Sequence, residues 1–380
     1  MKKILFILPS LAVGGLERVQ VSLANALTKE GYDVTIMTLY PNDELRSELS
    51  EKVHYLYKPP KRHLGERIPY IRHMLYDDGM WETRATAKQL YDYYVGNDVY
   101  DIEIAFFRGL PIKIISGSTN HQAKHIAWVH SDPLKASGYT ACFQSGKEVL
   151  EAYRSFDKVV CVSKQVANGF CHAIGEINTM QTIYNLIPVS DIIKKSNKNI
   201  DRKISKSQLH IVLVGHYIDT TKGQGRLISA VCRLRNEGAD ISLALIGSGK
   251  DEKLFHDMIC KNDAESYITL VDGGHNPYPY IKEADLLVCA SYFEGYNLTV
   301  AEALILGVPV LSTDCTGPNE ILDYGKYGMI VENSEDGIYK GLSRLVDDRN
   351  ILNRYKQKTV QRMSFFNEDT IMRQITDLFL

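Results

Sequence analysis

Two doubly wound α/β domains, each a parallel sheet flanked by helices, are the fold class this sequence predicts. Three observations predict it. The chain has 380 residues, more than one ordinary domain holds and suited to two of roughly 150 to 200, each with a full core. A unit of strand, loop, helix and strand opens the chain and recurs near residue 210. Between the two copies, residues 189–207 are polar, lysine-rich and poor in apolar side chains, which reads as a linker. The expected division is 1–190, 205–362 and a terminal segment 363–380.

Composition narrows the class. Hydrophobic residues at 44% and charged residues at 24% are those of a soluble globular protein. A net charge of -2 gives no general attraction to nucleic acid, so none is expected as a partner. The seven cysteines stand singly at 142, 161, 171, 232, 260, 289 and 315, with no CxxC pair. They read as small buried hydrophobes in a reducing compartment. The opening MKKILFILPSLAVGG imitates a secretion signal, but Pro9 interrupts its apolar core and no small-x-small site follows, so it is read as a first strand. No apolar run has the length to cross a bilayer, and the chain is not expected to be integral to a membrane.

In the first half, residues 3–8 and 34–39 are strands around a helix that starts near Leu16 and carries Val19, Leu23, Ala26 and Leu27 on one face. The Gly14-Gly15 turn before that helix lacks the GxGxxG spacing of a dinucleotide site and by itself reads as a plain tight turn. Residues 55–81 interleave aromatics with Lys58, Lys61, Arg62, Arg67 and Arg72. A solvated connection with one amphipathic helix fits that texture, and so does contact with an anionic membrane surface. Strands follow at 102–106 and 125–129, the second ending in WVHSD, which puts His130 at a carboxyl end where it can point into a cleft or serve as a satisfied structural histidine. Residues 158–162 and 181–185 are the last strands of this half.

The second half opens with strand 210–214 and Gly215; Lys222-Gly223 leads into a helix from about Gln224 with Leu227, Ile228 and Val231 facing inward. Strands are expected at 243–246 and 267–271, then a turn-rich exit at 272–277 and a short helix at 278–283. The apolar runs 285–290 and 308–311 suit strands buried on both faces, with a helix between them. From Gly337 the chain is helical, and Ile371, Ile375, Leu378 and Phe379 give the terminal segment one apolar face.

The chemistry concentrates between those two apolar runs. Glu294 falls in the turn after the first strand, and Glu302 in the first turn of a helix that Asn297 or Thr299 would cap. The backbone N–H groups of Tyr296, Asn297, Leu298 and Thr299 then face an anion at the carboxyl end of a parallel strand, where phosphate is the natural guest. Thr299 and Glu302 also fit a capping box, so structure and function stay open for Glu302. No capping pattern asks for Glu294, and a carboxylate beside a phosphate otherwise costs energy by repulsion.

The stretch from Ser291, SxxEGYxxTxxEAL, with GVPVLSTDCTGPNEI after it, resembles the paired-glutamate signature of the family 4 glycosyltransferases. That resemblance implies the GT-B fold: two Rossmann-like domains facing across a cleft, with a terminal helix crossing back to the first. It implies that Glu294 lies beside the donor sugar and that Glu302 holds the ribose hydroxyls, with Gly295, Tyr296, Asn297, Leu298 and Thr299 around the phosphates. GGLER resembles the family's glycine opening, which would turn Gly14 and Gly15 toward the donor phosphates or the acceptor, and His130 matches a histidine that contacts the donor sugar. The family's GR…KG pattern is kept at Gly215, Lys222 and Gly223, but His216 stands where the arginine is expected and the loop is one residue longer, so Lys222 is the better cation for the diphosphate. The loop holding Gly274 would cup the nucleotide base through its backbone.

The implied activity is retaining transfer of a hexosyl group from a UDP- or GDP-sugar to a saccharide, lipid-linked acceptor in surface polysaccharide assembly, at the cytoplasmic face of a membrane. Glu294, His130 and Lys222 would carry it. No Asp-x-Asp ends a strand and no His/Cys cluster occurs, so neither metal nor cofactor is expected, the nucleotide-sugar serving as co-substrate. A sugar-nucleotide 2-epimerase of the same shape and a catalytically silent sugar-binding subunit are the alternatives.

Overall fold

Ile4 to Leu8 is an unbroken apolar run, and none of its residues reaches solvent, so the strand it forms can only sit inside a sheet covered on both faces. The computed structural model describes residues 1–60, 80–200, 207–272 and 276–380. It divides into two units, Met1–Leu186 with Ile371–Leu380, and Ile187–Thr370.

Unit 1 runs β1 (Lys3–Leu8), α1 (Gly15–Lys29), β2 (Asp33–Thr38), β3 (His54–Tyr57), α2 (Met80–Arg84), α3 (Ala87–Tyr94), β4 (Ile102–Ala105), α4 (Leu110–Ile115), β5 (Lys124–Val129), α5 (Gly146–Arg154), β6 (Lys158–Cys161), α6 (Lys164–Ala173) and β7 (Met180–Thr182). Its strands pair in parallel in the order β3-β2-β1-β4-β5-β6-β7. The order reverses between β1 and β4, so the loops after these two strands flank a crevice at the carboxyl edge, the place where open parallel sheets collect ligands.

Unit 2 runs α7 (Val189–Ser196), β8 (Leu209–Val214), α8 (Asp219–Lys222), α9 (Gln224–Asn236), β9 (Ile241–Ile246), α10 (Glu252–Lys261), β10 (Ile268–Val271), α11 (Tyr278–Glu283), β11 (Leu286–Cys289), α12 (Leu298–Ile305), β12 (Val310–Thr313), α13 (Thr316–Ile321), β13 (Met329–Val331), α14 (Glu335–Asp347) and α15 (Arg349–Arg362). Here the parallel order is β10-β9-β8-β11-β12-β13, and the reversal lies between β8 and β11. Both units are therefore doubly wound, as the repeated opening unit predicts.

The linker reading of 189–207 is corrected at its start. Residues Val189–Ser196 are helical: Ile192 is buried, Lys194 and Lys195 sit in the last turn where cations suit the helix dipole, and the helix packs on α11. Asn276 Nδ2 donates to Lys195 O at 3.0 Å and Lys282 Nζ to Asn197 Oδ1 at 2.6 Å, which ties the segment into unit 2. One buried isoleucine among lysines leaves little apolar signal. Residues 201–206 lie outside the described residues.

The last helix, α16 (Glu368–Asp377), buries Ile371 and Ile375; Phe379 packs edge-on against Tyr32 at 5.4 Å and its carbonyl accepts from Lys2 Nζ at 2.7 Å. The chain end thus belongs to unit 1. Of the 55–81 segment, residues 61–79 lie outside the described ones, while Lys58 donates to Tyr94 O at 3.0 Å within unit 1. Among the described residues no helix is long and apolar enough to cross a membrane. The cysteines are all free, but the expectation of uniform burial is corrected: Cys260 is exposed, and Cys142 and Cys171 are half-buried.

Candidate active site

In unit 2 the loops after β8 and β11 are strapped together by their sequence. Gly223 sits at φ +64°, a conformation suited to glycine, and a Cβ there would meet Ala290 O at 2.3 Å, so only glycine lets the first loop lie against the second. Arg226 donates through Nε to Ala290 O at 3.0 Å and stacks over the Tyr292 ring at 3.8 Å, and the Tyr292 amide donates to Thr221 O at 2.9 Å. The strap brings Lys222 Nζ to 2.6 Å from Glu294 Oε1, where Ser291 Oγ also donates at 2.7 Å. The side chains are 29% and 11% exposed, so this is a half-buried ion pair. Burial by itself would lower the Lys222 pKa; the adjacent Glu294 charge and hydrogen bond outweigh it and hold the ammonium above its ordinary value.

Asn297 begins α12 from φ +71°, a backbone state asparagine tolerates better than most residues. Its Oδ1 accepts from the Val300 amide at 3.1 Å and the Thr299 hydroxyl at 2.8 Å, while Nδ2 donates to Cys289 Sγ at 3.2 Å. The cap is therefore Asn297, and the capping-box alternative is corrected: Thr299 is the second helical residue and Glu302 lies in the second turn. Glu302 is buried and accepts from Tyr278 Oη at 3.2 Å. Among the described residues, the Leu298 and Thr299 amides at the tip of α12 have no hydrogen-bond acceptor. The backbone of buried Tyr296 lies so close to Gly317 that a Cβ there would meet Tyr296 O at 2.3 Å, and the Gly317 amide donates to Glu294 O at 3.4 Å. Gly295 sits between these anchored residues.

The Lys222 side chain passes over Gly215, 3.7 Å from where a Cβ would stand. His216 is exposed and uses its carbonyl to accept from Gln224 Nε2 at 2.6 Å. Lys222, not His216, is the cation that meets Glu294 in this corner, beside the buried Arg226. Gly274 lies outside the described residues.

In unit 1, His130 follows β5 and packs edge-on against Phe106 at 4.5 Å. Trp128 is buried and tilts on the same ring at 5.3 Å. Burial, then the nearby Arg108 charge, pull the His130 pKa down to about 3, while a hydrogen bond to the Phe106 backbone raises it. His130 is therefore a neutral imidazole whose Nε2 is buried with no hydrogen-bond partner among the described residues. Gly14 caps α1 from extended backbone, and Glu17 folds its carboxylate back so that a Cβ at 14 would meet Oε2 at 2.2 Å. Gly15 is the first residue of α1, and burial raises the Glu17 pKa.

Tyr278, Arg226 and Arg108 are the site residues that no motif marked. Each acts on a group distant in sequence, which leaves no local pattern. Among the described residues no group of three or more His, Cys, Asp or Glu side chains is arranged to hold a metal.

Two family models cover the chain: "Glycosyltransferase Family 4" matches residues 13–191 and "Glycosyl transferases group 1" residues 208–348. The chain is similar to an uncharacterized glycosyltransferase of Haemophilus influenzae, 25% identical over 92% of this chain and 91% of that one. It is also similar to the N-acetylgalactosamine-N,N'-diacetylbacillosaminyl-diphospho-undecaprenol 4-alpha-N-acetylgalactosaminyltransferase of Campylobacter jejuni, 29% identical over 51% of each. Among solved structures, Anabaena HepE in complex with UDP and glucose shares the fold with a TM-score of 0.72 at 17% identity, covering 99% of both chains. WaaG, a glycosyltransferase involved in lipopolysaccharide biosynthesis, shares it at 0.68 and 16%, again over 99% of both.

Proposed function

This chain belongs to the group 1 and family 4 glycosyltransferases, with the two-domain GT-B fold, and from that premise we propose that it moves a hexosyl group from a UDP- or GDP-sugar to a lipid-linked saccharide. In this reading the configuration is retained, no metal or cofactor takes part, and the protein works at the cytoplasmic face of a membrane in surface polysaccharide assembly. The observation that carries it is the Lys222–Glu294 pair, 2.6 Å long, beside the amide-lined tip of α12. The Campylobacter relative's diphospho-undecaprenol acceptor and the UDP and glucose bound to HepE support the choice of acceptor and donor.

Breaking the bond between an anomeric carbon and a diphosphate leaves negative charge on the phosphate and positive charge on the sugar. Lys222 and the Leu298 and Thr299 amides supply the first stabilisation. In the free protein Lys222 is already neutralised by Glu294, so donor binding replaces the carboxylate with the diphosphate as its partner. Glu294 is thereby released toward the sugar, where it orients hydroxyls or eases oxocarbenium character. Glu302, oriented by Tyr278, accepts from the ribose. No carboxylate is assigned as a nucleophile of the glycosidase kind. The acceptor oxygen attacks the anomeric carbon from the face the phosphate leaves, and its proton passes to the departing phosphate oxygen.

The test is thermal unfolding with UDP-, GDP- and ADP-sugars. A donor at 100 times its Kd adds about 2.7 kcal/mol of stability. Lys222→Met should erase that gain, and a chain that none of the sugars stabilises would overturn the reading.

A further inference from the structure

Arg108 lies in the loop after β4, at the strand-order reversal of unit 1. Its Nε donates to Ser137 O at 2.8 Å and its Nη1 to Ser131 Oγ at 3.0 Å. The guanidinium also lies over the rings of Phe107, at 4.7 Å, and Tyr139, at 5.5 Å. Two glycines shape this seat. Gly138 turns at φ +92°, where a Cβ would come within 3.4 Å of Nε, and Gly109 at φ +76°, where one would come within 3.3 Å of Gly138 O. The fork is fixed in advance, so a ligand that meets it orders little more.

Every group that holds this cation is neutral. Among the described residues no carboxylate lies within ion-pair distance of Arg108; Lys222 and Lys113 have one, in Glu294 and in Glu148 at 3.5 Å, whereas Arg226 is held, like Arg108, by a carbonyl and a ring. A half-buried, unpaired charge is costly unless something of opposite sign completes it. Arg108 retains N–H donors beyond the two it has used, in the planar arrangement that phosphate oxygens match. Beside it, burial and the Arg108 charge keep His130 neutral.

We propose that Arg108 recognises a phosphoryl or diphosphoryl group of the acceptor. The assignment to the acceptor rests on the reading above, in which Lys222 and α12 take the donor's diphosphate. A lipid-diphosphate-linked saccharide has the required chemistry. An acidic sugar would present a carboxylate to the same fork.

The experiment titrates inorganic pyrophosphate, and separately glucuronate, into protein already saturated with UDP, by calorimetry at low salt. Wild type binds pyrophosphate; Arg108→Gln weakens it at least tenfold, and Arg108→Lys falls between, because a point charge lacks the fork. UDP affinity stays within twofold in both. Ser131→Ala, a mild change that removes one anchor, weakens pyrophosphate severalfold and guards against a misfolded variant. The proposal is overturned by UDP-loaded wild type that ignores pyrophosphate, by Arg108→Gln that binds it normally, by a parallel loss of UDP affinity, or by glucuronate binding in pyrophosphate's place. Failure of the donor reading shows separately, as UDP affinity indifferent to Lys222→Met.

Discussion

The two units solve the same topological problem with opposite electrostatics. At the strand-order reversal of unit 2 the cation nearest the turn after β11, Lys222, is compensated from within by Glu294 at 2.6 Å, while Arg226 rests on Ala290 O and the Tyr292 ring. At the reversal of unit 1, Arg108 is held by Ser131, Ser137 and two aromatic rings, and the neighbouring His130 is kept neutral. On the proposals above, the compensated corner would bind an anion by exchange, which would free its carboxylate for a second task, and the uncompensated corner would bind one by addition.

Making the unit 2 corner resemble that of unit 1 gives the largest expected effect. Glu294→Gln leaves Lys222 without its partner, so UDP should bind as tightly as before or severalfold tighter, since a competing carboxylate is gone. Sugar transfer should nevertheless fall roughly a hundredfold or more, the scale of losing one group aimed at transition-state charge. Turnover within tenfold of wild type would reduce the pair to a structural strap.

The next effect belongs to unit 1. His130 has a folded pKa of about 3 against an unfolded value near 6.5, so below 6.5 the unfolded chain gains a proton that the folded one refuses. Its contribution is fully present above that window and is lost as pH falls toward 3. Between pH 8 and pH 5 denaturant unfolding should register a decline of about 2 kcal/mol from this group. His130→Gln should flatten that part of the profile, whereas Lys222→Met should not; equal slopes in both variants would erase the distinction between the corners.

The smallest effect concerns the tip of α12. Asn297→Ala removes the cap and should cost about 1 kcal/mol, while Asn297→Gly, which suits φ +71°, should cost only a few tenths. Calorimetric melting of the two variants checks the order, and an alanine variant as stable as the glycine one would mean that the cap carries no load.

Legibility follows burial and sequence distance. The central strands announce themselves: residues 285–290 contain β11, and Ile4 to Leu8 lies in β1, because a strand covered on both faces must be apolar throughout. Edge strand β3 has His54, Leu56 and Tyr57 exposed and only Tyr55 half-buried, and it left no such run to find. The Asn297 cap could be anticipated because its partners are three residues away or fewer. Arg108 could not, because Ser131 and Ser137 lie 23 and 29 residues further on. Tyr278 was equally silent, 24 residues from the Glu302 it contacts.

By itself the sequence determined two repeated strand–loop–helix–strand halves and put Glu294 and a helix tip at the end of a buried strand, because hydrophobic period and capping chemistry act between near neighbours. Only the tertiary structure decided how charge is settled at each corner: that Lys222 is paired across 72 residues, that Arg108 meets no acid among the described residues, and that His130 stays neutral. Electrostatic compensation depends on distance and burial in space, and neither is written in the order of residues.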